Sequence, residues 1–478
     1  MPADPKIKQN RHPISKIATG IRGLDEILEG GFPAGRLTLV AGGPGTGKTV
    51  LVTEFLYQGA QDGDPGLLVS FEERAEDIRT NARAMGWDLE ALEAGSKLRI
   101  VHADLPHGTQ RSGEFTLNGL LAMLDGYTKS LGIQRIVLDA LDVLIRFFRD
   151  PEKEQDQFDL LHRWLQGKEA AVILTAKISR ENQPLYHSLE YMADCVLQLD
   201  QRVDQQVSTR RLRVIKYRGS GYLSNEHPYL ITSGGLVFLP VSSIELDYPA
   251  SGDPIGSGHS VLDEILGGGY RRGACILMAG STGTGKTTLA SMFAKCACDA
   301  GEKVLYVNLE ESENAMVRAM LNTSLDLRPD LESGNLKILS LMPESGGTEE
   351  HLLRILDALN AYGARYMIVD AISACRRMGS KGAVFDFLVR LINKCRKEGV
   401  ILLYTNQVLG MESVERISGL GVSSLADVIV FLRFVETKEG LRRRLLVLKA
   451  RGQSHSHLYH EMLIGEHGVK IRKISNKD

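Results

Sequence analysis

The hydrophobic positions of this chain fall in short runs, separated by longer stretches in which apolar and polar residues recur at helical spacing. Leu37-Thr38-Leu39-Val40, Leu67-Leu68-Val69-Ser70-Phe71 and Arg135-Ile136-Val137-Leu138-Asp139 read as buried strands in the first part of the chain. Cys275-Ile276-Leu277-Met278, Val304-Leu305-Tyr306-Val307-Asn308-Leu309 and Arg365-Tyr366-Met367-Ile368-Val369-Asp370 read the same way in the second. Runs without a polar face are what strands covered on both sides require, and the amphipathic stretches between them supply the covering helices. The pattern predicts an α/β protein with mainly parallel sheets and helices on both faces.

The pattern is written twice. Asp25 in Gly23-Leu24-Asp25-Glu26-Ile27-Leu28 and Asp263 in Val261-Leu262-Asp263-Glu264-Ile265-Leu266 lie 238 positions apart. The pair Glu72-Glu73 and the pair Glu310-Glu311, each ending an apolar run, keep the same offset of 238. Lys216-Tyr217-Arg218-Gly219 returns as Lys449-Ala450-Arg451-Gly452. A period of that size is a duplicated domain rather than a solenoid repeat. The loop-forming stretch Asp247-Tyr248-Pro249-Ala250-Ser251-Gly252-Asp253-Pro254 marks the junction. The expected organisation is an N-terminal arm over residues 1–16, a first domain over 17–246 and a second over 247–478.

Between the first strand and first helix of each copy stands G-x-x-x-x-G-K-[ST], as Gly42-Gly43-Pro44-Gly45-Thr46-Gly47-Lys48-Thr49 and Gly280-Ser281-Thr282-Gly283-Thr284-Gly285-Lys286-Thr287. The strand–loop–helix context makes each match a candidate phosphate-binding loop. Gly45, Thr46 and Gly47, like Gly283, Thr284 and Gly285, let backbone N–H groups close around phosphate oxygens at a helix N-terminus. Lys48 and Lys286 are expected to reach the β- and γ-phosphates of ATP, and the Thr49 and Thr287 hydroxyls to hold Mg²⁺. Asp139 and Asp370 end apolar strands expected beside the loop strand, where a carboxylate can hold the Mg²⁺ water shell. Capping of the following helix is the other reading of each. Glu72 or Glu73, and Glu310 or Glu311, end strands on the side that faces the ligand crevice, placing a general base beyond the γ-phosphate. Their alternative is an exposed charge opening the next helix.

The Lys-x-Arg-Gly segments follow basic strands, Arg210-Arg211-Leu212-Arg213-Val214-Ile215 and Arg442-Arg443-Arg444-Leu445-Leu446-Val447-Leu448. They fit cations reaching a triphosphate held by a neighbouring subunit, a DNA-contacting stripe or a solvated hairpin. Their recurrence favours the first. The net charge of −2, the 6% aromatic content and the lack of a helix-turn-helix or zinc-module signal argue against nucleic acid. With 43% hydrophobic and 24% charged residues, the composition is that of an ordinary globular protein. No apolar run reaches membrane-spanning length and the start MPADPKIKQNR is polar, so a cytoplasmic protein is expected. Six cysteines, Cys195, Cys275, Cys296, Cys298, Cys375 and Cys395, read as reduced thiols, and Cys296-x-Cys298 as helix packing rather than a metal site.

From about Ile17 to Ile471 the chain resembles the KaiC family of RecA-like ATPases. The resemblance rests on the two loops, Ser-Phe-Glu-Glu and Asn-Leu-Glu-Glu, the phrase Asn81-Ala82-Arg83-Ala84-Met85-Gly86-Trp87-Asp88-Leu89 and the two Lys-x-Arg-Gly segments. It implies two tandem RecA-like domains assembled as a homohexameric double ring, with ATP and Mg²⁺ between subunits. The first domain would hydrolyse ATP and the second would be a serine/threonine autokinase. It extends the nucleotide-binding set to Val50, Lys216, Tyr217, Arg218, Ser220 and Tyr222 in the first copy and Thr288, Lys449, Arg451 and Gln453 in the second, and gives Glu310 a place at the metal. It further implies phosphorylation across the subunit interface at Ser423 and Ser424 within Ile417-Ser418-Gly419-Leu420-Gly421-Val422-Ser423-Ser424-Leu425-Ala426-Asp427; read from the residues alone, this pair is a helix start or loop. A KaiB-like protein is an implied partner. Two departures accompany these expectations. The sequence stops at Asp478, so no tail for a KaiA-type activator is expected, and Thr323 stands where clock members place an aromatic near the adenine.

Overall fold

The computed structural model describes residues 14–103, 117–141, 156, 159–161, 163–164, 169–178, 183–204, 207–240, 252–408, 421–438 and 440–474. Residues 1–13 of the expected arm, residues 247–251 of the expected junction and Ile417–Leu420 lie outside the described residues. The chain divides into two compact units, the first built on Met1–Val203 and Ser208–Ser242 and the second on Ser243–Asp478.

In the first unit, β1 (Leu37–Gly42) leads into α1 (Lys48–Asp62). The remaining strands of its sheet are β2 (Gly66–Ser70), β3 (Leu98–His102), β4 (Arg135–Asp139), β5 (Ala171–Lys177), β6 (Cys195–Asp204), β7 (Val207–Tyr217), β8 (His227–Thr232) and β9 (Gly235–Phe238). Their spatial order is β9-β8-β7-β6-β1-β5-β4-β2-β3. Pairing is parallel from β6 across β1, β5, β4 and β2 to β3. It is antiparallel between β7, β8 and β9.

Both faces of the parallel part are buried, which is why its strands read as unbroken apolar runs. Val40, Leu68, Val137 and Ile173 point to one side, into a core shared with Leu51 and Phe55 of α1. Leu39, Leu67, Val69, Ile136, Leu138 and Leu174 point to the other. This period of two is the strand pleat itself.

The second unit repeats the plan with β10 (Cys275–Gly280), α2 (Lys286–Asp299), β11 (Val304–Asn308), β12 (Leu336–Ser340), β13 (Tyr366–Asp370) and β14 (Ile401–Gln407). Then follow β15 (Val428–Thr437), β16 (Gly440–Ala450), β17 (His460–Gly465) and β18 (Gly468–Lys473). The order is β12-β11-β13-β14-β10-β15-β16-β17-β18, with β15 to β18 joined antiparallel.

The structure corrects one expectation. Asp139 and Asp370 do not lie beside the loop strands: β5 stands between β4 and β1, and β14 between β13 and β10. The inserted strands carry Thr175 and Thr405, whose hydroxyls reach the two acids from the side and make the wider spacing workable.

Two buried polar groups tie α1 to the sheet. The Arg135 guanidinium is 2% exposed, pairs with Asp64 Oδ2 at 2.8 Å, donates to the Phe55 carbonyl at 2.8 Å and lies over the Phe55 ring. It crosses Gly59, where a Cβ would meet Arg135 Nε at 2.2 Å. That contact explains a glycine inside a helix, where it costs about 1 kcal/mol relative to alanine. Glu54, 3% exposed, accepts from the Leu236 N–H at 2.8 Å and so pins β9 to α1. Burial pushes the Glu54 carboxyl up to about 7.

A carboxyl raised by folding favours the protonated native state, so the stability it contributes is complete below about pH 4.5 and is lost as pH rises through about 7. Glu54→Gln keeps the acceptor and removes the charge. We expect the variant to abolish that part of the pH dependence and to be more stable than the parent at pH 8 by about 2–3 kcal/mol. Denaturation of both proteins across pH 5–8 is the measurement; parallel curves would show that Glu54 does not titrate with folding.

Candidate functional site

Each loop leaves the carboxyl end of its central strand and enters its helix through glycines with left-handed backbone. Gly45 has φ 71° and Gly47 φ 85°; Gly283 has φ 77° and Gly285 φ 98°. Positive φ is strained for residues with a Cβ, and these glycines allow the chain to turn its N–H groups inward. Thr46 Oγ1 donates to the Gly43 carbonyl at 2.8 Å and Thr284 Oγ1 to Ser281 at 2.7 Å, so both threonines brace the loop from within. Lys48 Nζ lies 3.0 and 2.9 Å from the Gly42 and Gly43 carbonyls, and Lys286 Nζ lies 3.0 and 2.9 Å from those of Gly280 and Ser281. Each ammonium thus stands over the loop into which a phosphate fits. Burial pushes Lys286 below the usual lysine range, opposed by the charges of Asp370 and Glu310. Val50 is half-buried and Thr288 buried on the helices that follow.

The acids converge on the same ends of the sheets. Asp139 Oδ2 accepts from Thr49 Oγ1 at 3.0 Å, and Oδ1 from Thr175 Oγ1 at 2.5 Å. Burial raises the Asp139 carboxyl, while the two hydroxyls and the Lys48 charge counter it. A hydroxyl and a carboxylate on one side of a phosphate loop are hard oxygen donors of the kind Mg²⁺ takes, and their direct contact fits that ion. In the second unit Asp370 accepts from Thr405 and, at 2.9 Å, from the buried Tyr306 hydroxyl.

The glutamate pairs sit on turns fixed by the residue that closes the preceding strand. Ser70 Oγ donates to the Glu73 carbonyl at 2.7 Å and accepts from its N–H at 3.0 Å. Asn308 Oδ1 takes both turn amides, from Glu310 at 3.1 Å and Glu311 at 3.0 Å. Glu72, Glu310 and Glu311 are exposed and Glu73 is half-buried. Burial, with the nearby Asp139 carboxylate, pushes the Glu73 carboxyl up, which brings it toward the range of a general base at neutral pH.

The Lys-x-Arg-Gly cations are not brought to the loops of their own units. Lys449 pairs in register with Ile429, next to Val428, which faces Ile276 at the start of β10, whereas the loop leaves β10 at Gly280, facing Leu432. Lys216 Nζ and Arg218 Nη2 hold the Tyr191 carbonyl at 3.3 and 3.2 Å, and Arg218 N–H bonds to Asp194, whose own N–H bonds to Leu37 at the start of β1. Several residues of strand at about 3.3 Å each separate these cations from their own loop.

Other basic side chains occupy the loop end: Arg443 Nε donates to Gly283 at 3.1 Å, and Arg210 Nε reaches Gly45 at 3.5 Å. Tyr217 is buried, with its hydroxyl on the Gly31 carbonyl, so it anchors its segment from within. Ser220 Oγ donates to Gly221, and Tyr222 packs against the first core. Gln453 bridges Arg271 Nε and the Gly269 carbonyl at 2.9 and 3.2 Å. Thr323 Oγ1 donates to Met320.

Ser423 and Ser424 lie in a single helical turn, Val422–Leu425, entered through Gly421 at φ 77°. Ser424 is exposed, and its carbonyl is 3.5 Å from both Lys449 Nζ and Arg451 Nη2. The serines therefore share the end of the sheet that carries the cations, away from the loop of their own unit.

Thr175, Thr405 and Tyr306 hold the two acids although no motif in the chain marks them, and Ser70, Asn308 and Arg443 take positions at the loop end that their motifs do not specify. The paired endings Ile173-Leu174-Thr175 and Leu403-Tyr404-Thr405 are the available signal for the two threonines.

Two nine-stranded, mainly parallel sheets, each with a phosphate-loop glycine cradle, a lysine and a buried acid, define a tandem RecA-like P-loop ATPase. The chain belongs to the KaiC family: the family model for the KaiC ATPase matches residues 17–243 and 255–476. Circadian clock protein KaiC2 of Synechocystis sp. (strain ATCC 27184 / PCC 6803 / Kazusa) is 35% identical over 460 residues, covering 95% of this chain and 81% of that protein. Circadian clock protein KaiC3 of the same strain is 31% identical, covering 98% and 94%. The circadian clock oscillator protein KaiC of Synechococcus elongatus (strain ATCC 33912 / PCC 7942 / FACHB-805) is 32% identical over 473 residues, covering 98% and 91%. Among the described residues no helix is long and apolar enough to cross a membrane.

Removal of the Thr175 hydroxyl leaves a buried carboxylate short of a donor, a defect of about 1–3 kcal/mol. With the second loop silenced by Lys286→Ala, we expect Thr175→Val to lower ATP turnover about tenfold, or about 1.4 kcal/mol in barrier. Steady-state phosphate release reads it, and unchanged turnover would mean that Asp139 needs no lateral support.

Proposed function

We propose that residues 17–246 form an Mg²⁺-dependent ATPase domain and residues 247–478 an ATP-dependent autokinase domain, active in a homohexameric double ring. The observation that carries this reading is the division of each sheet into two ends. One end bears Lys48, Thr49 and Asp139, or Lys286, Thr287 and Asp370. The other bears Lys216 and Arg218, or Lys449 and Arg451 together with Ser423 and Ser424. A ring of identical subunits lays the second end of one copy against the first end of the next, so each triphosphate meets cations from a neighbour, as in arginine-finger enzymes.

In the first domain, Lys48 and the loop amides bind the phosphates, and Thr49 and Asp139 hold the metal. Mg²⁺ held by Thr49 and Asp139 would supply Lewis-acid neutralisation of the charge on the transferring group. Glu73, with Glu72 beside it, orients a water and takes its proton as the water oxygen attacks phosphorus and ADP leaves. In the second domain the attacking group is the Ser424 or Ser423 hydroxyl of the adjacent copy. Its oxygen bonds to the γ-phosphorus, its proton passes to Glu310 or Glu311, the bond to ADP oxygen breaks, and Lys286 and Thr287 hold the donor. Each phosphate adds about −1.5 to −2 charges beside Lys449 and Arg451, which couples modification to the interface. Clock or stress signalling, with a KaiB-like partner, is the cellular role this chemistry serves. The clock names of the relatives and the full set of site residues in both halves support the reading over a nucleic-acid motor or a silent scaffold.

We expect Glu72→Gln with Glu73→Gln to lower first-domain hydrolysis by about 100-fold or more, the range of a lost general base. Ser423→Ala with Ser424→Ala should remove phosphate from the chain and spare that hydrolysis. Rings mixing Lys286→Ala subunits with Ser423→Ala/Ser424→Ala subunits should carry label from γ-labelled ATP only on the former. Mass spectrometry of the mixed rings decides: label elsewhere, or none in rings that assemble, rejects transfer between subunits. A protein that stays monomeric at saturating Mg-ATP rejects the ring.

A further inference from the structure

The two halves hold their metal-site aspartates by different means. Asp139 Oδ2 is held by Thr49, the metal-ligand candidate itself. Asp370 Oδ2 is held at 2.9 Å by Tyr306 from the neighbouring strand β11, while Thr405 holds the other oxygen. Among the described residues Thr287 makes no hydrogen bond to Asp370. The strand position of Tyr306, paired with Ile368, is that of Leu68, paired with Val137 in the first unit. Leu68 is 1% exposed and ends in the apolar core. Tyr306 is 0% exposed, runs through the matching core and delivers its hydroxyl to the carboxylate. A buried hydroxyl requires a partner, and a bond to a carboxylate is stronger and more directional than one between neutral groups.

We propose that Tyr306 is a positioning residue of the second site, fixing the Asp370 carboxylate for Mg²⁺ in the role that Thr49 plays for Asp139. The two sites are thereby orientated independently. In the first, one hydroxyl serves both the metal and the acid. In the second, Thr287 is left to the metal alone and the acid is set by the core. Partners that orient a metal's carboxylate ligand commonly govern affinity by tens-fold. The proposal rests on Mg-ATP binding at the second site, as argued above.

The test uses the full chain carrying Lys48→Ala, so that only the second loop binds nucleotide. Mn²⁺ stands in for Mg²⁺ and is titrated by electron paramagnetic resonance with a non-hydrolysable ATP analogue present. Tyr306→Phe removes the hydroxyl and retains the ring. We expect Mn²⁺ to bind about tenfold more weakly, with the affinity of the metal-free analogue unchanged. Tyr306→Leu, which installs the first unit's residue, should give the same loss and keeps the test open if the phenylalanine variant does not fold. In a Lys286→Ala chain, Mn²⁺ binding at the first site should not respond to Tyr306→Phe. Unchanged Mn²⁺ affinity in folded variants overturns the proposal, as does an equal loss of metal-free nucleotide affinity, which would mark a general distortion. Absence of second-site Mn²⁺ in the Lys48→Ala parent overturns instead the site assignment beneath it.

Discussion

A carboxylate buried at the end of a parallel strand is the constraint on which each half of this protein depends. An ion in that position is tolerated only when hydrogen bonds and a nearby cation replace its water. Asp139 meets the demand with Thr49, Thr175 and the charge of Lys48. Lys48 and Thr49 open the loop helix and Thr175 lies on the intervening strand, so satisfying one acid fixes how that helix and strand meet the strand of Asp139. The same demand at Asp370 enlists Thr405 from β14 and Tyr306 from β11. The site is therefore preorganised by the requirement that its own charge be accommodated.

The parallel sheet then imposes a polarity. Strand carboxyl ends gather the loops, lysines, acids and glutamate pairs at one edge. The antiparallel extension runs β16 back to the opposite edge and leaves Lys449 and Arg451 there, around the turn that holds Ser423 and Ser424. A single copy thus carries the phosphate loop and the cation-and-serine cluster at opposite ends of one sheet, the arrangement on which the proposed transfer between subunits rests. That separation is what the proposed ring assembly would bridge.

Duplication did not yield two equal sites. The first helix carries a buried glutamate, Glu54, that fastens a hairpin to it, and Tyr229 donates to the Thr46 carbonyl at 2.6 Å. In the second unit an apolar residue, Met462, lies beneath Gly285. The half-buried Glu73 feels the Asp139 charge, whereas Glu310 and Glu311 are exposed on a turn held by Asn308. On the proposed division of labour, the half-shielded acid would activate a water and the exposed pair would leave room for a hydroxyl from another chain.

The sequence by itself determined the repeat, because the same local patterns recur at one offset, and the phosphate loops, the acids at strand ends and the glutamate pairs, because each is a local pattern whose chemistry depends on neighbours within a few positions. It also determined that the sheets are mainly parallel, since uninterrupted apolar strands need cover on both sides. Only the tertiary structure decided that a strand stands between each acid and its loop strand, and hence that Thr175 reaches Asp139 across 36 positions and Tyr306 reaches Asp370 across 64. It alone placed the Lys-x-Arg-Gly cations at the far edge and Tyr217 inside the core. Periodicity records which face of a strand is buried but not which strand lies beside it. That order is set by crossover connections and by the long-range satisfaction of buried polar groups, and neither leaves a local mark in the chain.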